Sequence, residues 1–139
     1  MSDQNKDLSI QQKVMEILKG NTNLLLDESE RLGRDLAQND LSKSQIRNIY
    51  STVKRISSGG DFDERDQHEL KLLIPKIQYA VAREQRSPKA WKSLGDMLTL
   101  CIQNVGDDRK QFNHFAEFFE AIVAYHYSEH EKRKQERRY

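Results

Sequence analysis

Residues 112–126 read FNHFAEFFEAIVAYH, and the fold turns on them. Phe112, Phe115, Phe119, Ile122, Val123 and His126 recur at steps of three and four, which gathers them on one face of an α-helix. Ala116, Ala121 and Ala124 favour the helix and let neighbours pack closely. Three stacked phenylalanines are a large apolar load, and a helix carrying it is the spine of a helical core. Truncating any one of them, if buried, costs about 3–5 kcal/mol.

Working outward, the flanking segments repeat the helical period. Ser87-Pro88 opens a helix carrying Trp91, Leu94, Leu98, Cys101, Ile102 and Val105 and ending at Gly106. Asp107 or Asp108 caps the spine. Residues 63–86 hold Leu70, Leu73, Ile74, Ile77, Ala80 and Val81, with a kink or break expected just before Pro75. Ser42-Lys-Ser-Gln45 is a capping box, followed by Ile46, Ile49, Tyr50, Val53 and Ile56 up to the break at 57–60. Residues 23–38 form a helix with Leu25, Leu32 and Leu36 inward, Asp27, Glu28 and Glu30 suiting the dipole of its early turns, and Gly33 as a weak point. Residues 1–20 are poorly ordered or form one short helix stopped at Gly20, and 129–139 are a charged tail. No β-alternation of useful length occurs. The fold class is therefore all-α, a compact single-domain bundle of about five helices over residues 1–139.

The 139 residues contain 36% hydrophobic and 32% charged side chains, enough patterning for one core. No apolar run is long enough to span a bilayer, and the lone Cys101 reads as a reduced core residue. A cytoplasmic location is the expectation, with no membrane partner. The net charge of +1 hides an asymmetry: residues 1–40 carry a balance of −3, residues 41–92 of +5 and residues 93–139 of −1. A central basic excess points toward a polyanionic partner.

Three patterns suggest chemistry. His126-Tyr-Ser-Glu129-His130 matches the inverted zinc-peptidase motif, but zinc needs a third ligand that the basic residues after it do not offer. The plainer reading is a core-edge His126 and a solvated His130. Arg109 and His114 stand in an R-x-x-x-x-H pattern that resembles the HEPN ribonucleases, where histidine serves acid–base chemistry and arginine stabilises phosphate charge. Lys110 replaces the polar residue usual after that arginine, and a surface pair on the first turns of the spine is the simpler account. Asp61, Asp63, Glu64 and Asp66 resemble part of a calcium loop without its glycine and final glutamate. Helix N-terminal acids explain them better, and Asp107 and Asp108 with them.

The basic stripe is more informative. Lys43, Arg47 and Lys54 fall within about 40° of one another on their helix, beside the apolar sector. Lys76, Arg83 and Arg86 share a sector of about 80° on the next, with Tyr79 among them. Two neighbouring helices would then present one basic surface with an aromatic in it. The alternative is a pair of ordinary solvated faces.

Three segments together resemble a known family: S-x-S-Q-I-R-x-x-Y at Ser42–Tyr50, L-x-x-L-I-P-K-I-x-Y-A-x-A-R at Leu70–Arg83, and the spine. In this order and spacing they are similar to the small subunit of the type III-A CRISPR interference (Csm) complex, over about residues 24–127. The resemblance implies a helical bundle with no active site and no cofactor. It implies several copies stacked along a guide RNA–target RNA duplex, with other subunits of the complex and neighbouring copies as partners. Arg47, Lys76 and Arg83 are the RNA-contacting positions by motif. Lys43, Lys54 and Arg86 join them from the stripe geometry alone.

Overall fold

A computed structural model describes residues 8–38, 43–84 and 88–136, with the backbone alone at Lys43 and Pro88. Among these residues there is no strand, and helices α1 (Ile10–Lys19), α2 (Thr22–Ala37), α3 (Lys43–Gly59), α4 (Glu64–Lys71), α5 (Leu73–Arg83), α6 (Pro88–Val105) and α7 (Arg109–Glu136) follow one another. α4 and α5 meet at Leu72 and count as one broken helix, so the described bundle has six helices rather than the five or so expected. The additional one is α1.

Local chemistry accounts for the ends. Ser9 caps α1 by accepting from the Gln12 amide at 3.2 Å, while the Gln12 side chain accepts from the Ser9 amide at 2.9 Å. Gly20, at φ 103°, ends it in the left-handed region that glycine tolerates. Asn21 at once caps α2 through the Leu24 amide at 3.1 Å. Asp63 and Asp66 close a capping box at α4. Asp108 accepts from the Gln111 amide at 3.1 Å at the start of the spine. The acids expected at helix starts are therefore caps at Asp63, Asp66 and Asp108. Pro75 lies within the first turn of α5, where its missing N–H costs no helical hydrogen bond, and the break falls three residues before it. The proposed caps Ser42 and Ser87, and residues 1–7, lie outside the described residues.

Helix α7 is the spine, and α1, α2, α3 and α6 pack around it, α2 most extensively. Phe112, Phe115, Phe119 and Ile122 are buried as expected, and Phe118 is buried with them. Phe118 widens the apolar arc because α7 is enclosed on several sides. Phe62 stacks on Phe112 with ring centroids 4.5 Å apart, holding its own backbone at φ 45°. That conformation is uncommon outside glycine, and the buried ring offsets it. The charged end of α7 stays helical through Glu136.

Two readings change on α2. Gly33 is a close-packing point, not a weakness. A Cβ there would stand 2.8 Å from the His126 amide nitrogen, 2.8 Å from Tyr125 Cβ and 2.9 Å from the Ile122 carbonyl oxygen. Glu28 does not complement the helix dipole from solvent. It is buried, with Lys13 Nζ at 3.2 Å and Arg31 Nη2 at 3.0 Å. Burial pushes its carboxyl pKa up, but the hydrogen bonds and charges of Arg31 and Lys13 together bring it below the usual value.

Candidate nucleic-acid interface

The four fully described candidates, Arg47, Lys54, Lys76 and Arg83, are all exposed. Among the described residues none of them has a carboxylate within 4.0 Å. Their neighbour Arg55 is tied to Glu69 at 2.7 Å and so is neutralised locally. Arg86 lies outside the described residues, as does the side chain of Lys43.

The exposed cations do not share one surface. Lys76 and Arg83, from α5, line a groove of ≈ 280 Å³ against α3, whose wall is Gln45, Asn48, Ile49 and Thr52. Lys54 lines a different groove, between α3 and α7, with Tyr50, Glu117 and Glu120. Arg47 sits over the Tyr127 ring of α7, 6.0 Å from its centroid. The expected single basic face is thus divided by α3. Arg47 and Lys54 flank its α7 side, while Gln45, Asn48 and Thr52 stand about 100–180° round the same helix toward α5.

The two grooves differ electrically. Beside Lys54, Glu117 and Glu120 contribute negative charge, and burial, followed by the Glu120 charge, raises the Tyr50 phenol pKa. The α3–α5 groove is lined by two cations and, among the described residues, no carboxylate. Tyr79 is 64% exposed on its rim, with the Arg83 guanidinium 6.0 Å from its centroid. Ile49 and Ala80 form its apolar floor. Sequence reasoning identified Lys76, Tyr79 and Arg83 but not the polar wall. Gln45, Asn48 and Thr52, spaced three and four apart, were the available signal.

The other patterns separate in space. His114 Nδ1 lies 2.6 Å from the Leu18 carbonyl and its ring packs on Gly20, against α1. Arg109 lines a small crevice with Gly60 and Phe62, on the α3–α4 side. Five residues along a helix set side chains about 140° apart, so the ribonuclease-like pair does not converge on one phosphate. His126 is buried, and His130 is half-buried rather than solvated, its ring 6.2 Å from that of His126. Glu129 is engaged with Arg34 and Arg133. No group of three or more histidine, cysteine or acidic side chains gathers to hold a metal among the described residues. No described helix is long and apolar enough to cross a membrane.

The helical spine, the helix break at Leu72 and the cationic groove lie within a family match. Residues 19–132 match the family model described as Csm2 Type III-A. No curated protein and no solved structure matches the chain. Because the family match covers α2 to α6 and most of α7, well over half of the chain, the chain belongs to the Csm2 Type III-A family, the small subunit of the type III-A CRISPR Csm complex.

Proposed function

We propose that this small subunit binds RNA without catalysing a reaction. Several copies stack along the guide RNA–target RNA duplex, and basic helix faces meet backbone phosphates. The observation that carries this reading is the α3–α5 groove, where Lys76 and Arg83 are exposed and, among the described residues, unopposed by acid in the groove lining. Seven residues separate them, a rise of about 10.5 Å. A stacked strand advances about 3.4 Å per nucleotide, so the pair spans about three phosphates. Arg47 and Lys54 repeat the interval on the other flank of α3 and extend the interface toward α7. Lys43 and Arg86 belong to the same proposal by their helical positions. Contacts to phosphate carry no sequence information, and choice of target falls to base pairing with the guide. Its cytoplasmic setting follows from that role.

The test is a salt titration of target-strand retention by assembled complexes. These carry either the wild-type subunit or one with Arg47, Lys54, Lys76 and Arg83 all changed to alanine. Affinity should fall regardless of target sequence. The slope of log affinity against log salt should flatten by about 0.7 for each single-strand phosphate that the variant no longer neutralises. Thermal stability should barely move, because exposed charges contribute little to it. Equal slopes and affinities, with incorporation confirmed, would make the basic faces solubilising only.

A further inference from the structure

Phosphate binding explains the cations of the α3–α5 groove but not its other residues. Its rim is an aromatic ring, Tyr79, with 64% of its surface open to solvent. The Arg83 guanidinium covers part of that ring. The floor is apolar, from Ile49, and the wall carries two amides, Gln45 and Asn48. Among the described residues, the Gln45 Oε1 atom is buried without a hydrogen-bond partner. An acceptor in that position carries a desolvation cost, which is relieved when the amide turns toward a donor. A phosphate group has no use for an aromatic face, an apolar floor or an amide acceptor. A nucleobase uses all three: its π-face stacks on tyrosine and arginine, and its edge meets amides.

We propose that the groove between α3 and α5 is a stacking site for one unpaired nucleobase of the bound RNA. The base lies against Tyr79 and Arg83 with its edge toward Gln45 and Asn48, and Lys76 takes an adjoining phosphate. The site deepens the RNA-binding reading and rests on it. Because the amide of a glutamine or asparagine both donates and accepts, the site accommodates more than one base, with a preference for those that offer an exocyclic amine to Gln45. A base held in a duplex does not reach it. The subunit therefore favours RNA with an unpaired nucleotide over a fully paired helix of equal charge.

The experiment uses the full chain at low ionic strength. Two single-stranded RNA oligomers of equal length are compared, one of adenosines and one of abasic ribose phosphates, so that phosphate number is constant and only the bases differ. Base stacking of this kind is worth a factor of about 5 to 150 per base. The wild-type chain should bind the adenosine strand tighter by a factor in that range. Tyr79→Leu should bind both strands with the affinity of the wild type for the abasic one, and Tyr79→Phe should retain the difference. Circular dichroism should show all three folded, since the ring is mostly in solvent. Equal wild-type affinity for the two strands, or a difference that Tyr79→Leu leaves intact, overturns the stacking site. Phosphate binding survives that result if the salt slope still responds to alanine at Lys76 and Arg83. No measurable binding of either strand overturns the site as well, whereas the phosphate reading is decided separately by the assembled-complex titration.

Discussion

Gly33→Ala separates helix propensity from tertiary packing by the sign of its effect. On propensity alone, alanine within α2 stabilises by about 1 kcal/mol, because glycine gives up more backbone freedom on folding. The structure opposes this. A Cβ at position 33 would meet His126 N and Tyr125 Cβ at 2.8 Å and Ile122 O at 2.9 Å. Ordinary separations lie near 3.5–4.0 Å, so α2 and α7 must part by roughly 0.6–1.2 Å at their closest approach. Two of the three atoms are backbone and cannot rotate away. Overpacking of a core costs about 1–3 kcal/mol, and rigid neighbours place this case at the upper end. After offsetting the propensity gain, the net loss is about 2 kcal/mol. For a chain of this length that lowers the melting temperature by about 8 °C. The assay is thermal and urea unfolding with Gly59→Ala as control. Gly59 is helical, and apart from its chain neighbours and its own helix backbone nothing lies within 4 Å of its Cβ position, so that variant should be as stable as wild type or slightly more so. A Gly33→Ala protein at least as stable as wild type, with an unchanged urea slope, would show that α2 and α7 do not meet at this glycine.

Phe119→Ala should lower the melting temperature by well over 8 °C, since the ring is buried between Tyr50 and Phe115 at 5.3 and 6.1 Å and its loss costs about 3–5 kcal/mol; a shift within about 1–2 °C would refute the spine assignment. Glu28 has a depressed pKa in the folded state, so its contribution is present above the unfolded value, near 4.5, and lost as pH falls through the folded one. Glu28→Gln should therefore destabilise at neutral pH and show a shallower loss of stability on acidification, and parallel urea midpoints for the two proteins from pH 7 to pH 3 would contradict the ion triad. Burial holds the Cys101 thiol pKa well above its ordinary value, and thiol-specific reagents should modify it only on unfolding; rapid labelling of the native chain would place it at the surface. His114→Ala should leave purified protein as inactive on single-stranded RNA as the wild type, and cleavage abolished by this change would restore the ribonuclease reading despite the divergence of Arg109 and His114.

Periodicity alone determined much of this protein. Helical steps of three and four located the spine and each apolar face. Gly20 and Gly106 marked helix ends and Pro75 the first turn of a helix, because glycine and proline act on their own backbone. Capping acids were legible for the same reason: Asp63 bonds an amide three residues away in the chain. The central basic excess and three spaced motifs carried the family. What depends on residues far apart in sequence was decided only by tertiary structure. Gly33 looks like a defect until α7 is laid across it. Glu28 reads as one of three acids suiting the helix dipole until Lys13 arrives from another helix, and Phe118 lies outside the face expected of the spine until other helices enclose it. The division of the basic residues is the same lesson at the candidate interface. A helical wheel places Lys54 beside Arg47, but only packing brings Glu117 and Glu120 to Lys54 while leaving Lys76 and Arg83 in a groove without acid. Charge on one helix is a one-dimensional property, whereas the field a ligand meets is summed over every helix that lines the groove.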